Sequence, residues 1–87
     1  MTMIKEPVTI VCQYDDQDNL VPVKYRINYQ KGLAKTYPII EVKDVRYGKY
    51  DGDLSIAYTC ISKVEDQPVE CVIRFNTELG RWDLFLT

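Results

Sequence analysis

Three kinds of side chain in this sequence could carry covalent or acid–base chemistry: the thiols Cys12, Cys60 and Cys71, the hydroxyls Ser55 and Ser62, and 13 carboxylates. Each needs a helper. A nucleophilic serine needs a base, and the chain has no histidine. Lys63 follows Ser62 directly, but adjacent strand residues point to opposite faces, so the pair cannot work together. Paired carboxylates do acid–base work only where their environments separate them, and Asp15, Asp16, Asp51 and Asp53 all fall in predicted turns. No C-x-x-C pair exists and no imidazole could complete a zinc site. A calcium loop starting at Asp16 finds Asp18 at its third position but Leu20 at its fifth, with no glycine following. The four glycines lie apart in separate turns or loops, so none forms a phosphate cradle. The sequence therefore predicts no catalytic residues, no metal and no cofactor: a non-enzymatic chain.

The remaining chemistry is electrostatic. Net charge is −2, yet the charges are segregated. Residues 22–49 hold Lys24, Arg26, Lys31, Lys35, Lys43, Arg46 and Lys49 against Glu41 and Asp44, a local charge of +5. Residues 50–87 hold Lys63, Arg74 and Arg81 against seven carboxylates, giving −4, and residues 1–21 give −3. Five of the seven tyrosines, Tyr25, Tyr29, Tyr37, Tyr47 and Tyr50, lie within the basic stretch or at its end. Basic side chains attract phosphates and aromatic faces stack on unpaired bases, an arrangement used by small barrels that bind single strands. Lys24, Arg26, Lys43, Arg46, Tyr47, Lys49 and Tyr50 are thus the candidate binding residues. Tyr25 and Tyr29 share the apolar face of their strand and are read as core. Lysines on edge strands also guard against edge-to-edge association.

The elements that position these residues follow from the apolar period, which is close to two. Val8–Tyr14 reads as a first strand, ended by the acidic turn Asp15–Asn19. Val21, Val23, Tyr25, Ile27 and Tyr29 alternate with polar residues in a second, with Pro22 placed near its start or on an edge because it cannot donate a ladder bond. Residues 30–36 read as a loop with one helical turn. Tyr37–Val45 is a third strand, residues 46–53 a glycine-containing loop with an Asp51-Gly52 turn, and Leu54–Val64 a fourth and longest strand. Val69–Phe75 and Trp82–Leu86 supply the fifth and sixth. The prediction is one all-β domain, 1–87, with a flexible Met1–Pro7 and six antiparallel strands in a meander curled into a small SH3-like or similar barrel. Curling is invoked because Val11, Ile40, Ile61, Val72 and Phe85 are apolar on the second face. A partner subunit could cover some of them.

The 87 residues suffice for one modest core. The odd number of cysteines, each inside an apolar run, reads as buried reduced thiols. No segment resembles a signal peptide or a membrane span, which predicts a cytoplasmic protein with no membrane partner.

Four blocks in order, Ile10-Val11-Cys12-x-Tyr14-Asp15, Pro22-Val23-Lys24-Tyr25-Arg26-Ile27, Tyr58-Thr59-Cys60-Ile61-Ser62 and Trp82-Asp83-Leu84-Phe85, resemble small uncharacterised proteins of Firmicutes. Those carry C-x-[FY]-D, P-[VL]-[KR]-[FY]-[KR], Y-x-C-x-S and W-x-L-[FY] blocks. Tyr47–Gly52 stands where such proteins have a longer charged stretch, and Leu79-Gly80-Arg81 where a cysteine–lysine pair is usual. The resemblance implies a bacterial cytosolic origin and assigns no functional residue. The sequence as a whole points to a binding or interaction module whose partner is protein, self or other. Single-stranded nucleic acid, held by the basic tyrosine-rich segment 22–50, is the alternative.

Overall fold

The computed structural model describes residues 1–87. Its strands are β1 (Thr2–Met3), β2 (Val8–Tyr14), β3 (Leu20–Asn28), β4 (Ala34–Tyr50), β5 (Asp53–Val64), β6 (Gln67–Asn76) and β7 (Arg81–Leu86). A single 3-10 turn, Gln30–Gly32, precedes β4. All ladders are antiparallel, in the order β1-β7-β6-β5-β4-β3-β2. The sequence expectation of six strands in a barrel is corrected in two respects. There are seven strands, and the sheet does not close.

β4 explains both the fold and its opening. Its first part, Ala34–Pro38, pairs with β3, and its ladder with β5 begins at Ile39. The β3 ladder stops where Lys24 meets Pro38, a residue that lacks the N–H needed to continue it. Register shifts at Ile39/Glu41 and Val42/Asp44 mark bulges at Ile40 and Lys43, which bend the strand as it passes from one half-sheet to the other. The half-sheet β2-β3 thereby folds across β5-β6-β7, and the core lies between them.

That core is made by cross-strand rows on the inner face. Tyr58, Ile73 and Leu84 form one row, and Cys60, Cys71 and Leu86 the next. Tyr25 and Ile27 of β3 close over them, and all of these except the half-buried Leu86 are buried. Phe75 packs on Trp82 with ring centroids 4.6 Å apart. Two hydrogen bonds cross the interior: Tyr25 hydroxyl with Ser62 Oγ at 2.9 Å, and Tyr58 hydroxyl donating to the Leu20 carbonyl at 2.9 Å. The three cysteines are free thiols, with Cys60 and Cys71 fully buried opposite one another and Cys12 half-buried.

The turns obey local chemistry. Asp51 and Gly52 take φ of 55° and 87°, and Glu65 and Asp66 take 50° and 64°, the left-handed pairs that close two-residue hairpins. Asp15 Oδ1 accepts the backbone N–H groups of Gln17 and Asn19, fixing the β2–β3 turn. Asn76 does the same work before β7, accepting from Glu78 and Leu79 while donating to Asp53.

Several expected boundaries shift. The anticipated loop 46–53 is strand up to Tyr50, so β4, not β5, is the longest strand. In β3 the ladder slips: Val11 pairs with Lys24 and Cys12 with Pro22. Val23 is therefore the extra residue of a bulge, and Pro22 turns into the core, fully buried. Tyr29, expected in the core, stands at the surface after β3, 36% exposed. Residues 1–7 are tied at both ends, since β1 pairs with β7, Ile4 N–H donates to the Leu84 carbonyl and the Pro7 carbonyl accepts from Asn28.

Candidate functional site

The ladder that ends at Pro38 leaves a gap. Leu20–Val23 of β3 have no β4 partner, and β4 from Ile39 to Tyr50 keeps one edge, away from β5, without a strand. A cleft of about 420 Å³ occupies this gap. Val45 and Tyr47 form its β4 wall, Leu20 and Val21 its β3 wall, and Ile56 and Tyr58 its floor. The chain turn Asp15–Asn19 contributes Asp15 and Asp18 to the rim, and Tyr14 stands beside them.

The apolar groups here are unusually bare. Tyr47 is 71% exposed, Tyr14 70% and Val45 41%, and Leu54, cross-strand from Lys49, is 51% exposed. Together these side chains make an exposed apolar patch. The cleft floor is anchored: Tyr58 lies between β5 and the Leu20 carbonyl, and burial pushes its hydroxyl pKa up. The rim is acidic. The backbone N–H groups of Asn19 and Gln17 hold the Asp15 carboxyl below its usual pKa, keeping it charged. Neither Asp15 nor Asp18 takes part in an ion pair.

A second concavity, about 390 Å³, lies on the opposite face of the sheet. At its centre Arg74 is sandwiched between the rings of Tyr50 and Phe85, at 5.1 Å and 4.7 Å from their centroids. Asp51 and Asp83 lie 3.4 Å and 4.0 Å from its guanidinium. This cation is already matched by carboxylates and by ring faces, so the basin is a balanced structural cluster and not an open anion site.

The seven residues singled out from sequence are dispersed over these surfaces. Lys24 and Arg26 line a small groove on the outer face of β3 with Thr9 and Thr36. Arg46 and Tyr50 line the Arg74 basin, with Arg46 bonded to Asp44. Lys43 pairs with Glu70 at 3.5 Å. Tyr47 alone enters the apolar cleft, and Lys49, also exposed, follows two residues later on the same strand face. Missed by sequence reasoning were Tyr14, Val45, Leu20 and Val21. The available signal was Pro38, which has no N–H to give to a ladder.

Both serines are buried and hydrogen-bonded. Ser62 is buried and shares its hydroxyl with Tyr25 and the Val69 carbonyl, while Ser55 is buried and donates to the Asp53 carbonyl. No helix is long and apolar enough to cross a membrane. The chain matches no family model, no curated protein and no solved structure.

Proposed function

We propose that this chain is a non-enzymatic binding module that takes an extended segment of a partner protein along the free edge of β4. The observation that carries this reading is the coincidence of an unpaired strand edge with an apolar cleft beside it. Strand addition draws affinity from main-chain hydrogen bonds and specificity from pockets that receive alternate side chains. Here the edge offers the first, and the cleft between Val21 and Val45 offers the second. The bulges at Ile40 and Lys43 restrict docking to the regular run Asp44–Tyr50. The acidic rim favours a segment that presents a basic residue among its apolar ones.

Single-stranded nucleic acid has less support. Lys43 and Arg46 are paired with carboxylates, and Lys24 and Arg26 line a groove separate from the concavities that hold Tyr47 and Tyr50.

The test is selection of displayed random heptapeptides against the purified protein, with the Val45→Lys variant as counter-selection. Enriched peptides should alternate apolar and polar residues, and their amide shift perturbations should map to Val45–Tyr50 and Leu20–Val21. Enrichment that survives Val45→Lys unchanged, or shifts confined to the Arg74 basin, would refute the proposal.

A further inference from the structure

The strand that lies on β4 can itself be identified, and this inference rests on the strand-addition reading above. The bulge-free run Asp44–Tyr50 has three residues on each side of Tyr47. A second copy, antiparallel and related by a two-fold axis through Tyr47, would face Val45 with Lys49, Arg46 with Gly48 and Asp44 with Tyr50. No like charges meet in that register. Moving the axis one residue, to Arg46, brings Lys43 of one copy towards Lys49 of the other, which opposes pairing.

The same register satisfies the acidic rim. Alternate strand residues share a face, so Lys49 lies on the side of Val45 and Tyr47, which line the cleft with Val42 of the same strand. Across the two-fold axis Lys49 of one copy reaches the cleft of the other beside its Val45. There the rim carries Asp15 and Asp18, which have no cation of their own, and Lys49 has no carboxylate of its own. The symmetry makes this complementarity occur twice. It also sets the bare Tyr47 of one copy against that of the other, with each exposed Val45 beside its partner's Lys49, as an isologous interface requires.

We infer that the chain forms a two-fold dimer by antiparallel pairing of its β4 edges about Tyr47, each Lys49 entering the acidic rim of the other copy's cleft. A seven-residue ribbon with a few side chains is a small interface, so the association is a weak one.

Sedimentation velocity across roughly 10 μM to 1 mM tests it, a range that covers weak pairs. The unmodified chain should move towards the dimer mass with concentration. Tyr47→Lys, which sets two cations against each other on the axis, should remain monomeric throughout. Lys49→Glu should weaken association about tenfold, and only about threefold in an Asp18→Asn background, because one repelling carboxylate is then gone. Asn keeps the left-handed conformation that Asp18 adopts, with φ of 60°. Circular dichroism of each variant should match that of the unmodified chain, since these positions are exposed. An unmodified chain that stays monomeric to the top of the range overturns the dimer. A Lys49→Glu penalty equal in the two backgrounds overturns the pairing of Lys49 with the rim. The heptapeptides separate the two levels: if they bind β4 of a chain that never dimerises, strand addition stands and self-pairing falls. If neither occurs, both fall.

Discussion

Ser62→Ala should cost more stability than Tyr25→Phe, although the tyrosine is much the larger residue. Tyr25 is fully buried, its hydroxyl 2.9 Å from Ser62 Oγ, and Ser62 Oγ also lies 3.3 Å from the Val69 carbonyl. Tyr25→Phe removes one hydroxyl but keeps the ring, whose contact with Tyr37 at 5.4 Å survives. Ser62 still has the Val69 carbonyl, so the loss is that of one ordinary hydrogen bond, about 1 kcal/mol. Ser62→Ala instead leaves the Tyr25 hydroxyl buried with no partner and strips a bond from Val69, about 2 kcal/mol or more. In the double variant the orphaned hydroxyl is gone. Its cost should therefore fall short of the sum of the singles by about 1 kcal/mol. Urea unfolding reads this directly, since 1 kcal/mol moves the midpoint by roughly 0.3–1 M at the slopes typical of small domains. Thermal melts should show roughly 4–8 °C per kcal/mol. A Ser62→Ala loss no greater than that of Tyr25→Phe, or strictly additive singles, would refute the idea that this pair is closed to water.

Other outcomes follow from the same physics. Asn76→Ala removes the acceptor of two backbone N–H groups and the donor to Asp53, and should lower stability by about 2 kcal/mol in urea titration. Gly52→Ala forces a side chain into φ of 87° and should cost about 1 kcal/mol by the same measurement, although nothing crowds the site. A thiol reagent should label Cys12 alone in the native protein and all three cysteines after unfolding, as counted by mass spectrometry. Burial raises the hydroxyl pKa values of Tyr25 and Tyr58, so the folded chain holds those protons to higher pH than the unfolded chain, whose tyrosines titrate near about 10. Their contribution is complete below that pH and is lost as pH rises through and beyond it, so the urea midpoint should fall on the alkaline side. Asp15 acts with the opposite sign: its lowered pKa adds stability that disappears as pH falls through the carboxylate range.

The turns were the most legible part of the sequence, because their chemistry is local. Asp51-Gly52 and the acidic cluster at Asp15 declare themselves through the conformations that their own side chains permit. The core rows of β5, β6 and β7 were partly legible: Tyr58 and Cys60, and Cys71 and Ile73, recur at alternate positions, although Ile61 and Val72 put apolar side chains on the other face as well. What escaped was everything that depends on a bulge. A bulge at Val23 has no residue signature, yet it reverses which neighbours face inward, sending Pro22 to the core. Gly48 suggested a loop, but it is tolerated in a strand whose far edge is free. The candidate site was partly legible. Tyr47 was singled out as a candidate binding residue in a basic stretch, whereas its association with Tyr14 and Asp18 comes from where the β3–β4 ladder ends. Local charge sums could not reveal that distance.

The pairing of β1 with β7 has a kinetic consequence. Five of the six ladders join strands that are neighbours in sequence and can form as soon as each hairpin is made. The sixth joins Thr2 and Met3 to Leu86 and Phe85, separated by more than eighty residues. During synthesis β1 must wait for β7 to be made, so the meander can zip up hairpin by hairpin while one edge of β7 stays open. Docking of β1 is then the final event of folding and the first contact to fray on unfolding. Hydrogen exchange at Ile4, whose N–H reaches the Leu84 carbonyl at 2.8 Å, would time that latch separately from the sheet that it closes over.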